Sequence, residues 1–169
     1  MNFIKPLGGI GEESKNEKAM NDMSFLSKRQ EDLITEFNRF KNWEDRYRRL
    51  IEIGKSLPPL SEEQKLDDYK VKGCQSQVWL IGRLDENNRV QFEADSDAIL
   101  VKGLVALLLR VYSNATPDDI LNTPPDFIHR LGFASHLSPS RANGLFSMVK
   151  QILYYATAFK SLISAKSPE

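Results

Sequence analysis

Helical periodicity at both ends of the chain, a short alternating stretch between them and one cysteine at the head of that stretch predict an α+β fold. The fold expected is a small antiparallel sheet of about three strands flanked by helices. At 169 residues the chain suits one domain better than two. That domain is assigned to residues 25–165. Residues 1–24 combine close-set glycines, mixed charges and little periodicity, and are expected to form a mobile extension.

The spacing of Ser27 to Gln30 fits a capping box for a first helix, with Leu33, Ile34, Phe37 and Phe40 along one stripe. Asn42 is the expected N-cap of a second helix, Asp45 lies in its first turn, and Trp43, Tyr47, Leu50 and Ile51 form its apolar face. The stretch from Gly54 to Pro59 is expected to stop it. Ser61 and Gln64 mark a short turn. Residues 77–84 read as a strand, 85–88 as turn residues, and Val90, Phe92 and Ala94 as the alternating return of a hairpin. A strand over 69–72 completes the expected sheet.

Asp95 or Ser96 is the expected cap of a helix over 97–112, so apolar all round that it belongs in the core. Thr116-Pro117 and Thr123-Pro124 each suggest a short helix with proline at its first position, the second ending at Gly132. Ser138-Pro139 opens the last long helix, with Leu145, Met148, Val149, Ile152, Tyr155, Ala156, Phe159 and Leu162 on its stripe.

Lys plus Arg and Asp plus Glu both total 23, so no global field draws the protein to nucleic acid or to an anionic membrane. The longest apolar run, 99–109, is far short of the ~20 residues a bilayer needs. Residues 1–24 hold Glu12, Glu13, Glu17 and Asp22 and lack an apolar signal core, so a cytoplasmic protein is expected. A single cysteine excludes an internal disulfide and a multi-cysteine metal site. The chain is expected to bind neither metal nor cofactor.

Chemistry centres on Cys74. Gly73 removes bulk beside the sulfur, Gln75, Ser76 and Gln77 offer polar cover, and Lys72 sets a positive charge two residues away. The plain alternative is a thiol that simply packs, as lone cysteines commonly do. His129 and His136 are the two histidines available to a Cys–His nucleophilic pair, with His136 placed in the loop before the last helix. Asp95 and Asp97 read first as helix-start residues, and Arg141, in the first turn of the last helix, as a cation set against the dipole.

Three blocks resemble the SufE family, sulfur acceptors that work with cysteine desulfurases in iron–sulfur cluster assembly. They are Gly73 to Trp79, Asp95 to Leu104, and His136 to Arg141 with Gly144-Leu145. Asn42-Trp43-Glu44 and Leu57-Pro58 are similar to the family's early helix, so the resemblance spans about residues 28–160. It implies a SufE/IscU-like fold with Cys74 on a loop. It also implies that Cys74 carries a persulfide intermediate, with Gly73, Gln75, Ser76, Asp97, His136 and Arg141 in support. The partners implied are a SufS- or CsdA-like cysteine desulfurase, which uses pyridoxal phosphate, and a SufBCD-type scaffold. The resemblance leaves monomer or homodimer open. The polar extension before Ser24 departs from the shorter family pattern. Two further readings stand beside the carrier: a regulatory module that activates a desulfurase without carrying sulfur, and a cysteine hydrolase using Cys74 and His136.

Overall fold

The computed structural model describes residues 24–166, so all but the last residue of the expected N-terminal extension lies outside the described residues. Helix α1 (Phe25–Asn38) starts ahead of the predicted capping box. Ser24, not Ser27, is the N-cap, its hydroxyl accepting from the Ser27 amide. Gln30 is withdrawn from capping because it is buried, donating to the Pro124 carbonyl and accepting from the Phe127 amide. Tertiary bonds override the local motif.

Helix α2 (Trp43–Lys55) is capped as expected by Asn42, which accepts from the Asp45 amide at 2.9 Å. It runs on through Gly54, because that glycine is where α2 meets the central helix α3 (Ile99–Tyr112). A Cβ on Gly54 would lie 2.7 Å from the backbone nitrogen of Gly103, and one on Gly103 would collide with the Leu50 carbonyl. Two glycines let the two backbones touch, which offsets the ~1 kcal/mol that each costs against alanine in a helix. Ten of the fourteen residues of α3 are buried, and they form the floor on which the rest packs.

Strands β1 (Val78–Leu84) and β2 (Val90–Ser96) pair antiparallel from Val78↔Ser96 to Leu84↔Val90. Asp85 closes their turn by accepting from the Asn87 and Arg89 amides. Val78, Leu80, Phe92 and Ala94 face the main core, while Trp79 and Ile81 meet Leu60 and Tyr69 on the other face. The described sheet has two strands rather than about three. Residues 67–69 form a 3-10 turn, and the segment's backbone pairs with β1 only at the Lys70↔Trp79 bridge and a Val71 N–H to Val78 carbonyl bond. Beyond it Gly73, at φ 91°, turns the chain away before a ladder can form.

Neither Asp95 nor Asp97 caps α3, which starts after Ala98; only Ser96 comes near, accepting the Ala98 amide. Helix α4 (Pro117–Leu121) follows the Thr116-Pro117 signal, with Thr116 accepting from the Asp119 amide. The Thr123-Pro124 signal does not hold. Carbonyls of Thr123 and Pro124 are claimed by the Tyr112 hydroxyl and Gln30, so α5 (Asp126–Arg130) starts two residues later. Gly132, at φ 80°, then leads into the single turn α6 (Phe133–His136), so His136 lies on a helical turn and not in a loop. Helix α7 (Pro139–Lys166) opens at the expected proline and buries Leu145, Met148, Val149, Ile152 and Ala156. Leu162 is exposed, since the helix by then has passed the core.

Candidate functional site

Residues 72–76 form a loop pinned at both ends. Upstream, the Val71 amide donates to the Val78 carbonyl at 2.8 Å. Downstream, Asp97 accepts from the Gln77 amide at 3.0 Å while the Ser96 hydroxyl donates to the Gln77 carbonyl at 2.8 Å. Asp97 thus braces the base of the cysteine loop, a duty that the helix-start reading missed. Gly73 permits the sharp turn: its φ suits glycine, and a Cβ there would lie 2.7 Å from the Ser147 hydroxyl oxygen.

Cys74 sits at the middle of this loop, half-buried, its thiol donating to the Gly144 carbonyl at 3.5 Å. The sulfur faces a cavity of about 290 Å³ between the loop, α3 and the start of α7. Val101, Leu104 and Met148 form its apolar floor, and Gln75, Ser76, Ser138, Ser140 and Arg141 supply its polar rim. Gln75 is tied to the rim, its side-chain carbonyl accepting from the Ser140 hydroxyl at 3.2 Å. Burial pushes the Cys74 thiol pKa up, so at neutral pH the resting group is the unreactive thiol. The seat shelters a sulfur atom and leaves one side open to a reactant.

Cys74, Gln75, Ser76 and Arg141 are therefore brought together, with Gly73 shaping the turn and Asp97 at its base. His136 is not. Its ring stacks on Trp43 at 4.0 Å, its Nδ1 meets the Gly132 carbonyl at 3.0 Å, and its own carbonyl accepts from the Tyr47 hydroxyl. It does not line the cavity, so the structure offers no Cys74–His136 pair. His129 faces Phe146 instead. Ser138, Ser140 and Gly144 stand in the third block of resemblance without an assigned role at the site, and the structure puts all three on the cavity. The first was read as a helix start; the last had a visible signal, a glycine inside a long helix. A Cβ on Gly144 would stand 3.3 Å from the Cys74 sulfur.

Asp95 lies nearby in the frame rather than in the cavity. It is buried, and burial opposes its charge, yet the Leu60 and Ser96 amides and the Lys102 ammonium outweigh that and hold its pKa below the ordinary carboxylate value. Among the described residues, no group of three or more His, Cys, Asp or Glu is placed to hold a metal ion, and no helix is long and apolar enough to cross a membrane.

Comparison with known proteins gives two findings. Residues 31–156 match the family described as "SufE: Fe-S metabolism associated domain". Among solved structures, the chain resembles the solution structure of a hypothetical protein from Thermus thermophilus, with a TM-score of 0.66 and 20% identity, covering 79% of this chain and 96% of that one. At that identity the likeness supports the α+β fold alone.

Proposed function

Since the chain belongs to the SufE family of Fe-S metabolism associated proteins, we propose that Cys74 accepts sulfur from a cysteine desulfurase and passes it to an iron–sulfur cluster scaffold. The observation that carries this reading is the seat of the thiol: at the middle of a pinned loop, against an apolar floor, with a polar rim open on one side. In the step proposed, Cys74 first gives up its proton to water or to a base of the partner. Its thiolate then attacks the outer sulfur of the desulfurase persulfide. A new sulfur–sulfur bond forms at Cys74, the old one breaks, and the desulfurase cysteine leaves as a thiolate. Clearing that persulfide frees the desulfurase for its next turnover, which accounts for stimulation without a separate effect. A second exchange of the same kind unloads Cys74 onto a SufBCD-type scaffold.

The raised thiol pKa asks for a conformational step. The loop swings outward on docking, which exposes the sulfur and restores its acidity, and the apolar floor protects the persulfide when the loop returns. The work takes place in the cytoplasm, and the pyridoxal phosphate belongs to the partner. The sheltered thiol also favours a second reading, a module that activates a desulfurase by docking alone.

Mass spectrometry after incubation with a cysteine desulfurase, pyridoxal phosphate and free cysteine tests the first reading. One added sulfur on Cys74 is the expected result, and its absence while the desulfurase turns over would overturn the relay. The Cys74→Ser variant separates the two readings. A relay loses stimulation, whereas a docking activator keeps it.

A further inference from the structure

Among the concavities that helix α7 lines, two border the cysteine loop, and the second of these has no part in sheltering the thiol. It measures about 520 Å³ and is lined by Lys70, Lys72 and Lys150 together with Asp68, Ser147 and Tyr154, among others. Three ammonium groups thus face one carboxylate in a protein whose net charge is zero. Lys72 and Lys150 are exposed and have no acidic partner among the described residues. Lys70 has one, Asp67 at 3.0 Å, but the Asp67 side chain is 91% exposed, and such a pair is readily exchanged for another carboxylate. Several other basic side chains are matched locally, Arg48 with Glu44 and Asp45, Arg49 with Glu36 and Lys160 with Asp118. Lys28, Arg39, Lys41 and Lys55 are unpaired among the described residues, but they line neither of the two cavities beside the cysteine loop.

Placement gives the cluster its meaning. Lys72 is part of the cysteine loop itself, two residues before the thiol, and Ser147 touches the turn at Gly73. Across the loop, Arg141 on the rim of the first cavity is likewise without an ion pair among the described residues. Unmatched positive charge therefore flanks the sulfur on both sides. Tyr154 adds an aromatic ring at 67% exposure, the kind of amphipathic anchor that interfaces favour.

We infer that this lysine-lined concavity is a docking site for an acidic surface segment of the sulfur donor, whose carboxylates meet Lys72, Lys150 and Lys70 while its apolar side chains rest on Tyr154. The inference builds on the relay reading, since it takes the donor to be the desulfurase that loads Cys74. Charges of this kind act mainly on the rate of encounter and on orientation, and their effect fades as salt rises. Capture at Lys72 also grips the loop beside the thiol, so docking and presentation of the sulfur become one event.

The test is a titration of the full chain with the cysteine desulfurase at low and at high ionic strength, comparing wild type, Lys72→Glu/Lys150→Glu and the charge-matched control Lys28→Glu/Lys41→Glu. The control lysines are exposed and lie outside both cavities. The expected result is a Kd raised about tenfold or more for the first double variant at low salt, chiefly through kon, with the gap closing at high salt and the control within about twofold of wild type. Equal affinities for the two double variants would overturn the docking site, as would a loss that salt does not change, or wild type that fails to bind. Mass spectrometry of wild-type Cys74 in the same mixtures keeps the two ideas apart. Normal loading with unchanged affinity sinks the docking site alone; weakened binding with no sulfur on wild-type Cys74 sinks the relay alone.

Discussion

Replacing Gly144 by alanine adds a single methyl group under the thiol, and the structure sets the size of its effect. The new Cβ would lie 3.3 Å from the Cys74 sulfur and 3.9 Å from the Cys74 Cα and Cβ. Optimal carbon contacts fall at ~3.5–4.0 Å, so the sulfur must retreat by a few tenths of an ångström. Overpacking a locked core costs about 1–3 kcal/mol. Here the neighbour is instead the tip of a loop whose backbone is fixed at its base and whose tip is held only through the side-chain bonds of Cys74 to Gly144 and Gln75 to Ser140. Against that stands the gain from removing a glycine inside a helix, about 0.5–1 kcal/mol. Global stability of Gly144→Ala should therefore stay within about 1 kcal/mol of wild type in urea denaturation. The displaced thiol should lose part of its burial, recover acidity and alkylate with iodoacetamide at least about twofold faster at neutral pH. A fall in stability beyond about 2 kcal/mol with unchanged alkylation would refute the argument, because the seat of the sulfur would then be rigid.

Two further outcomes follow from the same geometry. Asp97→Ala leaves the Gln77 amide without its carboxylate partner and loosens the base of the loop; a loss of about 1 kcal/mol in denaturation and faster alkylation of Cys74 are expected. The pH dependence of Cys74 has a definite sign. Its folded pKa is raised, so the native state prefers the protonated thiol; that stability is fully present below the unfolded pKa of ~8.5 and is lost as pH climbs from there toward the folded pKa. Thermal unfolding of wild type should fall more steeply above about pH 8.5 than that of Cys74→Ser, and parallel curves would contradict the burial.

Much of this was legible in the chain because the strongest signals were local. The apolar run 99–109 could belong only to an enclosed helix, and Asn42 and Thr116 each had one use. The readings that failed were those decided by distant partners. Ser24 and Ser27 are equally good caps, and the choice between them follows from Gln30 being drawn toward Phe127. Residues 69–72 have the composition of a strand, but the turn at Gly73 ends the pairing after the Lys70 bridge. Asp95 and Asp97 look alike in sequence and part company in space, one to the Leu60 amide and Lys102, the other to the base of the cysteine loop. At the candidate site the cysteine block was plain from the residues, whereas the cavity walls come from α3 and α7, which no spacing in the sequence brings together. His136 failed as a base for the same reason: nothing in its neighbours announced the Trp43 ring that holds it.

The bond between Val71 and Val78 fixes a tether length. Cys74 is the third residue beyond Val71 and the fourth before Val78, so even a fully unrolled tip extends roughly 10 Å from its hinge at ~3.3–3.6 Å per residue. Under the proposed relay, a donor would have to bring its own sulfur inside that radius, threading it down to the acceptor rather than waiting for a long arm to arrive. On that reading contour would join charge in partner choice: a protein too blunt to approach the sheet end so closely would be refused before chemistry began.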